Sequence, residues 1–247
     1  MSPQGLLTQK LVLLAMVCGL LVGGMWGLGE AYEAIQVQNG GKITGTVQLA
    51  GPMLAPEQLQ ITRDQGVCGT GSRLSDALIV SPERGIKNVV VSLANISKGK
   101  PQPALPENPR LVQEQCWFSP HVLLVPAAST VDLFNNDNVM HNIHTVSQIN
   151  PSINKAHPTF RKKLNFALRK PEMIQAKCDI HPWMSAWFIV TAHPYYAVTE
   201  ANGAFTLTDV PPGTYTLQAW HETLGTQTRQ VSVSANGEST VVFELKP

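Results

Sequence analysis

Lys177-Cys178-Asp179-Ile180-His181-Pro182-Trp183-Met184 is the stretch on which the reading of this chain turns. It places a thiolate, an imidazole and a thioether on one short segment. A second imidazole, His141, stands upstream beside Asn142. Copper that cycles between Cu(I) and Cu(II) suits this mixture. Two histidines and one cysteine make a trigonal set, and a long, weak methionine bond completes it. Three donors on one loop can wrap a single ion, and the fourth must reach in from another strand. Pro182 disfavours helical geometry at His181 and removes an amide donor, so the segment is expected to be a loop. Zinc also accepts two histidines and a cysteine, but methionine is a poor zinc ligand. A Cys–His nucleophile would need an oriented third group, which these residues do not supply. The bland alternative makes Cys178 a disulfide partner of Cys68 or Cys116, His181 a surface residue and Met184 part of the core.

Strands surround this loop. Val122–Val125, Thr130–Phe134, His141–Val146, Lys163–Leu168, Met173–Cys178 and Trp187–Ala192 read as β-structure, with Asn135–Asn138 as a turn and residues 148–163 as a polar loop. Upstream, Gly41–Gly51 alternates like a half-buried strand, and Ile86–Ile96 is a second β-rich run. Residues 98–110, with Pro101, Pro103, Pro106 and Pro109, read as a boundary. Downstream, the Asn202-Gly203 and Pro212-Gly213 turns separate strands at 204–208, 215–220, 228–234 and 240–245. No segment sustains a helical period. The expected fold class is all-β.

The copper-type segment resembles the cupredoxins, in particular the amicyanin and pseudoazurin type, which share the Cys-x-x-His-x-x-Met spacing. FNNDNVMHNIH, residues 134–144, is similar to the family segment that carries the first histidine ligand. The resemblance covers residues 106–195 and implies a Greek-key sandwich with one copper ion on His141, Cys178, His181 and Met184. It implies that Asn135 ties the two ligand segments together by hydrogen bonds, that Asn142 stands beside the first ligand, and that His181 is where the electron leaves. Trp183 and Trp187 flank Met184 and either pack the domain core or form an apolar rim over His181. Ile174 stands where a binuclear centre would need a second cysteine, so one copper is expected. A strand turns i and i+3 to opposite faces, so His144 is not expected to share an ion with His141.

TEANGAFTLTDVPPGTYTLQAW, residues 199–220, resembles the carboxypeptidase regulatory-like modules, which are transthyretin-like β-sandwiches. Such modules usually begin with strands like those at 41–51 and 86–96, which here precede the copper segment. The expectation is a discontinuous sandwich of residues 37–98 plus 196–247 with the cupredoxin inserted; simple tandem order is the alternative. Cys68 and Cys116 are then the expected disulfide.

The full chain has 247 residues, 43% hydrophobic and 14% charged, with a net charge of +1. That is enough apolar material for a core, and it excludes an electrostatic footprint for nucleic acid. Residues 11–29 carry no charge and follow Lys10. Residues 1–31 therefore read as a signal peptide or a retained membrane anchor, and either places the rest outside the cytoplasm, with a bacterial periplasm the expected site. The leading expectation is an electron carrier, not an enzyme, that serves redox protein partners such as a dehydrogenase or oxidase. Copper storage, delivery or sensing without electron transfer is the alternative, and a structural β-module the third reading.

Overall fold

The structure, a computed structural model, describes residues 32–247; the leader expected at residues 1–31 lies outside them. The described chain is almost entirely β, with a single helical turn at Gln65–Cys68. No helix among the described residues is long and apolar enough to cross a membrane.

Two pairs of sheets enclose two hydrophobic clusters. In the first pair, a four-stranded sheet runs in the order Lys163–Leu168, Ser129–Asn135, Arg110–Glu114, Trp117–Ser119. The facing five-stranded sheet runs Asn154–His157, His141–Val146, Glu172–Lys177, Ser185–Thr191, Val122–Pro126. Alternation explains the packing. Leu164, Phe166 and Leu168 turn inward from a strand whose other residues are exposed, and Ile174 and Ala176 do so from the facing sheet. Residues 148–163, expected to be loop, contain the edge strand Asn154–His157, which pairs antiparallel with His141–Val146.

The second pair draws on both ends of the chain. Gly41–Leu49 lies between Ala204–Val210 and Glu238–Leu245, antiparallel to one and parallel to the other. Val90–Leu93 lies between Tyr196–Val198 and Gly213–His221, and Gly225–Val233 completes that sheet. The run expected over 86–96 is thus shorter as a strand, though Ile86 and Val89 still enter the core with Ile43, Val47, Phe205, Leu217 and Phe243. Gly203 takes φ +79° in the turn before Ala204, a conformation that costs glycine little.

A small third cluster joins the two pairs. Val90, Val122 and Ile189 are buried in it, and Trp187 meets Trp220 edge-on at 4.9 Å between ring centroids. His121 contacts the Glu222 carboxylate beside this seam.

One expected boundary is corrected. Residues 59–68, placed by sequence within the 37–98 half of the second sandwich, leave it instead. The short hairpin Gln58–Gln60 and Ser72–Leu74 carries Ile61 and Cys68 into the hydrophobic cluster of the first pair. Cys68 forms the disulfide with Cys116 there. The bridge therefore fastens this hairpin to the first sandwich and does not pin one sandwich core to the other. In the chain-entropy account, closing a loop of 48 residues stabilises by about 4 kcal/mol.

Candidate metal centre

His141 opens its strand directly after the 135–140 turn, and Cys178 follows the end of Glu172–Lys177. These two strands are hydrogen-bonded neighbours, so their ends bring the two donors together. The Cys178–Met184 loop closes on itself: the Cys178 amide donates to the Met184 carbonyl at 3.3 Å, and the Met184 amide donates to the His181 carbonyl at 2.9 Å. This tight closure turns His181 back toward Cys178 and buries Met184.

Three donor atoms converge. His141 Nδ1 lies 3.0 Å from His181 Nδ1, and Cys178 Sγ lies 4.0 Å from the first and 3.7 Å from the second. Both imidazoles have no exposed surface, and Cys178 and Met184 are 2% and 1% exposed. Each ring uses its other nitrogen on a carboxylate: His141 Nε2 donates to Asp137 at 2.8 Å, and His181 Nε2 donates to Asp64 at 2.8 Å. Asp137 also accepts the amides of Gln115 at 2.7 Å and Cys116 at 2.9 Å. Carboxylates on the far nitrogens fix each ring's orientation and aim both Nδ1 atoms at one point.

The electrostatics agree with that geometry. Burial pushes the Asp137 carboxyl up, but the hydrogen bonds from His141 and from the Cys116 and Gln115 amides outweigh it and hold the group below its ordinary value. Burial pushes His141 down, yet Asp137 and Cys178 together raise it. Burial pushes the Cys178 thiol up, and hydrogen bonds from His141 and nearby amides lower it overall. His181 is lowered by burial and by the charge on His141, against the pull of Asp64. With both Nε2 hydrogens given to carboxylates, the 3.0 Å approach of the two Nδ1 atoms needs a proton between them when no ion is bound. Remove that proton and two lone pairs face each other at 3.0 Å beside a sulfur. A cation of the right softness relieves that conflict. The donor set of two imidazoles and a thiolate, with Met184 on the same loop, fits copper.

The neighbours sort differently from expectation. Asn135, expected to tie the two ligand segments, donates to the carbonyls of Val139 and His157 and accepts the Asp137 amide, so it shapes only the His141 side. The tie is Asn142, whose Oδ1 accepts the Asp179 amide at 2.7 Å and whose Nδ2 donates to the Asp179 carboxylate. Asn142 lies on the strand itself, one residue past His141, and so reaches the cysteine loop directly. Trp183 packs 5.2 Å from the His181 ring and donates its indole N–H to the Cys116 carbonyl at 3.0 Å. His144 is half-exposed and bonds Asp179, away from the three donors.

His181, expected to be the electron's exit, presents no surface to solvent. The Asp64 segment covers it. Neither carboxylate was among the residues singled out from sequence. Asp137 stood in plain view four residues before His141 but read as part of a turn. Asp64 is 117 residues from His181 and offers no local signal.

Fold and site together define an all-β protein of two paired-sheet sandwiches with a buried two-histidine, one-cysteine centre. The carboxypeptidase regulatory-like domain model matches residues 189–246. No curated protein matches the chain. Among solved structures, a copper-containing nitrite reductase from Thermus scotoductus SA-01 is similar at 20% identity and TM-score 0.33, over 36% of this chain and 24% of that one. This chain thus spans about a quarter of that enzyme's length. A purple cupredoxin from Nitrosopumilus maritimus is similar at 21% identity and TM-score 0.29, over 33% of this chain and 98% of that one. A reduced variant of amicyanin is similar at 15% identity and TM-score 0.32, over 36% of this chain and 86% of that one.

Proposed function

We propose that this chain is a mononuclear copper protein that carries single electrons between redox partners outside the cytoplasm. The observation that carries the reading is the convergence of His141 Nδ1, His181 Nδ1 and Cys178 Sγ within 4.0 Å of one another, with both far nitrogens anchored on carboxylates. Copper bound there would supply a one-electron couple, with Met184 as the fourth, weaker donor. The protein's own contribution is rigidity. Asp137, Asp64 and Asn142 hold the donors in place, and burial excludes water, so little rearrangement accompanies a change of charge. That preset, closed arrangement supports a carrier over a protein that stores or hands off copper. A carrier, unlike an enzyme, needs no substrate cleft at the ion. The disulfide supports an oxidising compartment. We read residues 106–195 as an insertion into a sandwich formed by both ends of the chain.

The test is a Cu(II) titration followed by visible absorption and electron paramagnetic resonance, with Cys178→Ala and Met184→Leu as controls. The expected result is an intense thiolate-to-copper band that saturates at one equivalent, vanishes in Cys178→Ala and shifts in Met184→Leu. A colourless protein, or one that binds copper equally well without Cys178, overturns the reading.

A further inference from the structure

We infer that the hairpin Gln58–Leu74 is a disulfide-latched cap over the metal centre, and that Asp64, at its turn, is the residue that positions His181. What the cap does for metal exchange rests on the copper reading; its closure does not, and can be measured in the metal-free chain.

The cap is thin. Ile61 and Cys68 are buried against the first sandwich, while residues 62–67 between them are exposed. Asp64 belongs to that exposed turn, yet its carboxylate holds the ring of a fully buried histidine. A single layer of chain therefore separates His181 from solvent. Asp64 adopts φ 50°, a left-handed conformation that aspartate and asparagine accept more readily than most residues. The residue type thus serves both the turn and the hydrogen bond.

Ties to the protein body hold the cap shut. The Cys68–Cys116 bridge is covalent, and its sulfurs lie within 4.8 Å of a His181 ring nitrogen. Arg73 donates to the Gln115 carbonyl at 2.9 Å and lays its guanidinium over the Trp117 ring, and the Trp117 indole N–H bonds Asp76. The cap and the metal loop are not fused along their whole length: Leu59, Gln60 and Thr62 face Pro182 and Trp183 across a cleft. A segment with few buried apolar contacts opens at low cost unless it is latched. The latch sets how readily anything reaches Cys178, and an electron partner meets the cap's outer face, not the imidazole edge.

The decisive experiment uses the metal-free full chain. Alkylation of Cys178 is followed by peptide mass spectrometry, and the His181 tautomer by ring ¹⁵N shifts. Wild type is expected to react slowly and to hold its proton on His181 Nε2. Cys68→Ala/Cys116→Ala is expected to react at least about tenfold faster, because the loop constraint is gone. Asp64→Ala is expected to react faster as well and to lose the tautomer preference, while Asp64→Asn, which keeps an acceptor and tolerates the turn, restores both. Should the double variant not fold, Asp64→Ala and Asp64→Asn decide alone. Unchanged alkylation and an unchanged tautomer in a folded Asp64→Ala protein overturn the inference. If the cap variants behave as expected in a chain that binds no copper, the copper reading falls and the cap stands.

Discussion

Asp137 is the residue on which the His141 side of the centre depends. One oxygen accepts the Gln115 amide, and the other accepts both the Cys116 amide and His141 Nε2–H. All three partners are donors, so only a carboxylate satisfies them. Asp137→Asn turns an NH₂ against a donor whichever way the amide is flipped. We expect it to destabilise the metal-free protein by about 1–3 kcal/mol, the cost of a buried group left unpaired. Metal affinity should fall by roughly 10- to 100-fold, as when a ligand histidine loses its outer partner. Urea unfolding and competition against a copper chelator read the two effects; an unchanged affinity would mean that His141 is oriented by its strand alone. At this scale the sequence pointed to residues that the structure brings together, but not to their supports. His141, Cys178 and His181, which converge, and Met184 on the same loop could be singled out as candidate donors because donor chemistry belongs to residue type. The supporting role of Asp137 and Asp64 depends on where a turn and a distant hairpin come to rest, and residue type does not carry that.

The elements that were hard to read are those whose burial pattern is weak. Strand Asn154–His157 buries only its last residue, so it shows no alternation, and pairing with His141–Val146 is what makes it a strand. The loop leading into it has a different organiser, Glu172. Its carboxylate accepts the Ser147 hydroxyl at 2.7 Å, the amides of Gln148, Ile149 and Asn150 at 2.5, 3.1 and 2.9 Å, and the Asn150 side chain at 2.9 Å. Burial pushes this carboxyl up, but the hydrogen bonds together outweigh it and bring it to about 2 from an ordinary 4.5. A carboxylate lowered on folding stabilises the folded form above its unfolded value and loses that contribution as pH falls. The Glu172 contribution is therefore expected to be complete near neutral pH and to decay between about 4.5 and about 2. Glu172→Gln should loosen residues 147–153 in amide hydrogen exchange and lower the urea midpoint at neutral pH. Its deficit against wild type should shrink as the pH drops through that window. The group is partly open to solvent, so the effect should be modest and salt-dependent. A deficit that does not change with pH would assign the effect to side-chain geometry, not to charge.

Across the whole molecule, the order of strands predicts which parts should stand alone. The family match begins at residue 189, but the strands it contains do not close a sandwich by themselves. In one sheet Gly41–Leu49 is the central strand, and in the other Val90–Leu93 separates Tyr196–Val198 from Gly213–His221. Residues 189–247 expressed alone would lack both and leave open edges and half a core; we expect no cooperative unfolding transition from that fragment. The chain enters and leaves the intervening region side by side. The Lys100 amide donates to the Tyr195 hydroxyl at 2.8 Å, and the Leu93 amide donates to the Tyr195 carbonyl at 3.2 Å. A short glycine-containing linker in place of residues 102–193, with the cap hairpin 54–76 also replaced by a turn, should therefore leave a sandwich that folds. That protein would lose the Trp187–Trp220 contact, worth about 0.5–1.5 kcal/mol beyond burial, and the His121–Glu222 contact. It would also expose Val90 and Trp220 at the former seam. Its thermal unfolding should accordingly be cooperative but at a lower midpoint than that of the parent. A cooperative transition in the linked protein and none in the 189–247 fragment is the outcome that insertion requires, whereas tandem modules would give a folded fragment. If neither folds, the seam is part of a single core, and the region holding the candidate metal centre is no insert but half of the scaffold.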